Sequence, residues 1–330
     1  MATHAQEAPL TAPQATRDRP RLLALRALGL GDLLVGVPAF HALRRAFPGH
    51  RLTLAAPEWL SDIVALLPGW ELLPTAGLET AIALEPGTVD VAVNLHGKGP
   101  ESQALISELR ANRTIGHRSP ADKGSGSDGP VWVEEMNERE RWCRLLRWHG
   151  IPADASECSL ERPSFGAVGA NMGASVVHVG AASGSRLWPV ERFAAVAGEL
   201  SARGHRVVIT GGESDRGRAL TTAALAGLAD EAVKAGSLSL GQFAAYVADS
   251  RLVVTADTGA AHLASTYGRP SVVLFGPASE DRWGPPPGPH RVLTRADLRR
   301  GILFAPDPDP ALLAVQVQDV LGALGDLGVL

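Results

Sequence analysis

Residues 21–47 read RLLALRALGLGDLLVGVPAFHALRRAF. The apolar run at 21–28 has the length and composition of a buried strand. A glycine-rich turn follows it, and a helical pattern occupies 34–47. The unit recurs along the chain. RLTLAA (51–56) and SDIVALL (61–67) come next, then VDVAVNLHG (89–97) with QALISELRA (103–111) behind it. The second half runs SVVHVG (175–180), PVERFAAVAGELSARG (189–204), HRVVITGG (205–212), a helix near 214–228, AYVADSRLVVTAD (245–257), AAHLASTYG (260–268) and PSVVLFG (270–276). This alternation predicts an α/β chain of parallel, doubly wound Rossmann-like sheets, whose ligands bind at the carboxyl ends of the strands.

A chain of 330 residues exceeds the usual size of one domain. The expected division is a disordered tail over 1–20, a first domain over 21–165 and a second over 166–330, with the rhythm broken near 163–174. HRSPADKGSGSDGP (117–130) reads as a surface loop of the first domain, either a plain insertion or a lid. The C-terminal LLAVQVQDVLGALGDL reads as an amphipathic helix on a core. A net charge of −4 argues against a nucleic-acid binder. Acidic residues outnumber basic ones 18 to 15 over 21–165, so the first domain is no polyanion reader either. The two cysteines, Cys143 and Cys158, form no metal pattern and suit a reducing, cytoplasmic setting. No apolar run reaches the roughly 20 residues of a membrane span, which leaves a peripheral place at a membrane surface open.

Four loops carry candidate chemistry. The first is GLGDLLVGVP (29–38). A dinucleotide fingerprint needs a third glycine where Leu34 stands, and no acid ends RLTLAA to hold a ribose; nor is the loop a P-loop. Asp32 is then either a first-turn acid that stabilises the helix or a general base facing the cleft. The second is VVTADTGAAHLAS (253–265). A strand ending at Asp257 turns through Thr258 and Gly259 into a helix. That helix either aims free amides at an anion, with His262 in its first turn as a further donor, or is a capped structural helix with a half-buried histidine. In the third, HVGAASGSRLWPVERFA (178–194), Arg186 is either a solvated arginine or a phosphate clamp. In the fourth, HRVVITGGESDRGRA, Glu213 is either a plain first-turn acid or a ribose-binding acid beyond a strand end, as in nucleotide folds. NLHGKGPES (94–102) lacks P-loop spacing, and its His96 and Gly97 read, with Gly31, as cleft lining. PDPDPA (306–311) reads as a proline-rich linker rather than a metal site.

Together these segments resemble glycosyltransferase family 9, the heptosyltransferase-like enzymes of lipopolysaccharide assembly. The Gly-Asp turn with its Pro-Ala helix, the Arg-Leu-Trp-Pro run, the Asp-Thr-Gly-x-x-His run and the Phe-Gly-Pro turn follow in family order over roughly 21–300. The resemblance implies a GT-B fold and an inverting, metal-independent transferase with no cofactor. The donor it implies is ADP-L-glycero-β-D-manno-heptose, held by the second domain. The acceptor, a glycan, glycolipid or small molecule, falls to the first domain. By the same resemblance Asp32 matches the base, and Thr258 and Gly259 match the diphosphate-binding amides. Asp257 and His262 match positions near the donor sugar. Arg186 stands where relatives carry a phosphate-binding lysine, and Glu213 and Leu238 match ribose and adenine neighbours. The family's common acceptor is strongly anionic, which the acidic first domain does not favour unless Arg110, Arg113 and Arg118 cluster. A nucleotide-sugar-binding protein without transfer and a nucleotide-dependent oxidoreductase stay open as alternatives.

Overall fold

The computed structural model describes residues 19–118, 128–164 and 173–330. Most of the predicted tail, loop and boundary stretches lie outside these residues. The first half contains β1 (Arg21–Leu25), α1 (Leu30–Val35), α2 (Val37–Ala46), β2 (Arg51–Ala56), α3 (Ser61–Val64), β3 (Trp70–Pro74), β4 (Val91–Asn94), α4 (Pro100–Glu108), β5 (Arg113–Ile115) and α5 (Glu138–Trp148). The second half contains β6 (Ser175–His178), α6 (Val190–Ala202), β7 (Val207–Thr210), α7 (Arg216–Leu225), α8 (Leu240–Ala248), β8 (Leu252–Ala256), α9 (Gly259–Thr266), β9 (Ser271–Leu274), α10 (Glu280–Trp283), β10 (His290–Leu293), α11 (Pro310–Leu313) and α12 (Val317–Asp326).

Each half builds one five-stranded, all-parallel sheet. The orders are β3-β2-β1-β4-β5 and β10-β9-β8-β6-β7. Strands such as LVVTA and VAVN are buried along their whole length, because helices cover both faces of a parallel sheet. In the first half Leu33, Phe40 and Trp142 fill one face and Leu105, Ile106 and Leu109 the other. In the second half Phe193, Leu200, Ala219 and Leu324 fill one face. Its opposite face, with α8 and α9, joins the first half's core through Val176, Val247, Val253 and Leu263. The two halves therefore meet across continuous apolar packing. Each sheet reverses its winding at one place, between β1 and β4 and between β6 and β8. Those reversals open crevices at the strands' carboxyl ends, where ligands of such folds bind.

Two segments fold differently from the sequence reading. The run AYVADSRLVVTAD divides into α8 and β8, because Ser239 and Gln242 form a reciprocal capping box at the start of α8. The C-terminal amphipathic stretch breaks into α11 and α12, yet packs on the core as expected. The PDPDPA linker is ordered by a buried carboxylate. Asp309 accepts from the amides of Arg300, Gly301 and Ala311 at 3.1, 3.3 and 2.9 Å. Among the described residues no helix is long and apolar enough to cross a membrane.

Candidate functional site

The reversal between β1 and β4 gathers Asp32 and His96. Asp32 is the third residue of α1, and its Oδ2 accepts a long 3.3 Å bond from the Gly29 amide. It is thus a first-turn acid, as the plainer reading held, but its side chain remains 32% exposed and can meet a ligand. Behind it lies Arg26, which the sequence reading passed over. Arg26 is 1% exposed and places Nη2 4.0 Å from Asp32 Oδ1. The signal was present: an arginine breaks the apolar run LLALRAL just where β1 ends. His96, beyond the end of β4, is held near pKa 4 by burial and by the Arg26 charge, so it is neutral at physiological pH.

The opposite crevice gathers Asp257, Thr258, Gly259, His262 and Arg186. Thr258 is the N-cap of α9, its hydroxyl accepting from the Ala260 amide at 3.3 Å. Among the described residues the Thr258 and Gly259 amides have no acceptor, so they remain free for an anion. Arg186 reaches over them from the β6 loop, with Nη1 3.9 Å from Asp257 Oδ2 and 3.5 Å from its carbonyl. That loop is set from behind. The Ser183 and Ser185 hydroxyls donate to the Leu303 carbonyl at 2.8 and 2.6 Å, and the Ser185 amide to that of Ala305 at 2.9 Å. Gly184 has no room for a side chain: a Cβ there would lie 1.6 Å from the Pro306 carbonyl oxygen. Backbone cannot yield as a side-chain tip can. Gly184→Ala is therefore expected to lower stability by about 3 kcal/mol or more; urea melts read the loss.

His262 is buried, and burial with the charges of Arg139 and Arg186 lowers its pKa to about 3. It is neutral, and its edge faces Gly31 rather than solvent. Asp257 shifts the other way. It is 5% exposed, and burial raises its pKa from 3.8 to about 6 against the pull of Arg186, with the Asp32 charge adding to the rise. A carboxyl whose folded pKa is raised contributes stability below its unfolded pKa and loses it as pH climbs through the folded value. Asp257 therefore strains the fold above about pH 6. The rise corresponds to about 3 kcal/mol. Asp257→Asn is expected to stabilise the protein at pH 7.5, with a gain that shrinks as pH falls from 6 and is gone near pH 4; melting curves across that range check it.

The crevices face each other. A Cβ on Gly31 would sit 3.0 Å from His262 Cδ2, and one on Gly259 would sit 2.6 Å from Leu30 Cδ2. The first turns of α1 and α9 thus interlock, glycine against larger side chain in each direction. This brings Asp32 of one half beside the free amides of the other. Glu213 and Leu238 lie further out. Glu213 is exposed at the end of β7, and the loop carrying Leu238 packs on it, with the Gly236 amide donating to the Gly211 carbonyl at 3.2 Å. Gly97 flanks His96 at the rim. Arg110, Arg113 and Arg118 do not gather at the cleft: Arg110 and Arg113 lie before β5 or at its first residue, and Arg118 lies beyond its end. Parallel strands carry one crevice at one end, so residues at opposite ends of β5 do not share it.

Residues 150–299 match the sequence profile described as glycosyltransferase family 9 (heptosyltransferase). Lipopolysaccharide heptosyltransferase 2 of Escherichia coli (strain K12) is 31% identical over 127 residues, 37% of this chain. The aligned part spans 34% of that relative's length. The fold is similar to a family 9 glycosyltransferase from Veillonella parvula, with a TM-score of 0.75 at 22% identity over 94% of this chain and 98% of that one. It is likewise similar to E. coli ADP-heptose lipopolysaccharide heptosyltransferase II, with a TM-score of 0.76 at 21% identity over 93% and 98% of the two chains. Sequence over the second half is similar to glycosyltransferase family 9 (heptosyltransferase), and the fold over both halves is similar to that of solved structures that carry this family's name.

Proposed function

We propose that this protein is an inverting glycosyltransferase that moves a heptose-like sugar from an ADP-linked donor to a hydroxyl of a glycan, glycolipid or small-molecule acceptor. The observation that carries the reading is the interlock of α1 and α9, which sets a ligand-accessible carboxylate opposite a helix end with free amides. The donor's diphosphate lies on the Thr258 and Gly259 amides with the Arg186 guanidinium alongside. Asp257 and His262 stand beside the sugar, and Glu213 and Leu238 border the nucleoside.

In the reaction Asp32 accepts the proton of the acceptor hydroxyl as that oxygen bonds to the anomeric carbon. The bond from that carbon to the diphosphate breaks on the opposite face, and its electron pair leaves with ADP. One displacement inverts the anomeric centre. The negative charge that grows on the diphosphate meets a helix end and a guanidinium already in place, so this chain's own groups stabilise the leaving group without a divalent ion. ADP-heptose as donor is supported by what the similar structures from E. coli are named for. The acidic first half favours an acceptor without dense negative charge.

Thermal shift with ADP, ADP-heptose, UDP-sugars and NAD, each in chelator, tests the reading. ADP or ADP-heptose at a hundredfold excess over its dissociation constant is expected to add about 2.7 kcal/mol of stability. Stabilisation by NAD alone would overturn the proposal. Binding of ADP-heptose with no ADP release would leave a nucleotide-sugar-binding protein instead.

A further inference from the structure

The arginine beneath the base has an arrangement that neither packing nor ion pairing explains. Its three guanidinium nitrogens go three ways. Nε donates to the Asp32 carbonyl, Nη1 donates to the Leu95 carbonyl beyond β4, and Nη2 faces Asp32 Oδ1 at 4.0 Å. Its Cζ lies 4.8 Å from the centre of the Trp142 ring, a cation–π contact from α5. Gly36 makes room for it, since a Cβ there would lie 3.2 Å from Arg26 Cδ and Nε. The charged groups that act on it are Asp32 and Glu138, and burial lowers its pKa from the usual arginine value.

A buried cation is ordinarily neutralised by a carboxylate in direct contact, because a charge taken out of water is costly. Here the guanidinium is solvated by two carbonyls and an indole face, and the carboxylate is kept at 4.0 Å, beyond hydrogen-bond distance. The attraction still acts on Asp32, but neither oxygen is consumed by a short charged bond. Oδ2 has its long bond from Gly29, and Oδ1 stays open to a ligand. The same guanidinium ties α1 to the end of β4, across the crevice where the first sheet reverses.

We propose that Arg26 is the positioning residue for Asp32. It fixes the α1 turn against β4 and orients the carboxylate by charge at a distance, leaving one oxygen free to take the acceptor's proton. The proposal rests on Asp32 being the base. A lysine keeps the charge but has one nitrogen centre and cannot bridge both carbonyls while facing the carboxylate.

The test is a cycle of Arg26→Met, Asp32→Asn and the double variant, with Arg26→Lys beside them. Calorimetric ADP affinity and the rate of ADP release from ADP-heptose in an acceptor-containing extract of the source cells are measured for each. ADP binds at the other crevice, so unchanged affinity reports an intact fold. Arg26→Met is expected to slow release by about 100-fold with ADP affinity kept, and Arg26→Lys to restore only part of that. Because Arg26 acts through Asp32, the double variant is expected to be no slower than Asp32→Asn alone. Full activity in Arg26→Met or in Arg26→Lys, loss of ADP affinity in parallel with rate, or a double variant slowed by the product of the single effects would each overturn the proposal. Full activity in Asp32→Asn overturns the assignment of the base instead, and no release by the unsubstituted protein overturns the transferase reading itself.

Discussion

Asp32→Asn is expected to bind ADP-heptose as tightly as the unsubstituted protein while transfer falls by about 10²- to 10⁴-fold, the usual contribution of general acid–base catalysis. The amide is nearly the same size and keeps an oxygen for the Gly29 amide, whose bond to Asp32 is only 3.3 Å long. The fold therefore has little to lose. The variant loses the capacity to accept a proton. Of the nearby imidazoles, His262 is buried with its ring edge against Gly31 and does not take over that role. Donor affinity from calorimetry and initial rates of ADP release separate the two effects. Unchanged turnover would return Asp32 to the role of a helix-capping acid.

Gly259→Val is expected to weaken ADP binding by about 100-fold or more, because two requirements meet at that residue. A diphosphate on the Gly259 amide must come within about 3 Å of the main chain, and a branched side chain occupies that approach. A Cβ would also lie 2.6, 2.8 and 3.1 Å from Leu30 Cδ2, Cγ and Cβ, so the whole leucine must move and α1 must part from α9. The two causes can be told apart. Gly259→Ala combined with Leu30→Ala removes the two closest contacts between the helices, leaving only the 3.1 Å approach to the residue 30 Cβ, but still crowds the amide. Donor affinity that stays low in this pair assigns the loss to the phosphate approach. Affinity that recovers assigns it to the separation of the helices. Wild-type affinity in Gly259→Val would remove the helix end from the donor site.

Alternating apolar strands and helices showed the class of fold in the sequence, since a strand buried on both faces must be apolar throughout, as at LVVTA. Local chemistry was legible where it depends on neighbours in the chain. Thr258 caps α9 because a hydroxyl next to a helix start finds the amide two residues on. Where competing local signals met, reading failed. AYVAD looked like the start of a strand because its capping box, Ser239 with Gln242, lies upstream of the apolar run.

The site was legible as residues but not as a site. Sequence alone determined that Asp32 begins a helix, that Thr258 and Gly259 begin another, and that Arg186 lies in a loop of small residues. Only the tertiary structure decided that the two helix starts interlock through Gly31 and Gly259, that Gly184 seats the Arg186 loop on Pro306, and that Arg26 underlies Asp32. The physical reason is range. Capping and periodicity act within about four residues and are written in adjacent letters. The distance between two crevices, and the burial that keeps Asp257 near pKa 6 and Arg26 out of water, depend on how whole sheets pack against each other.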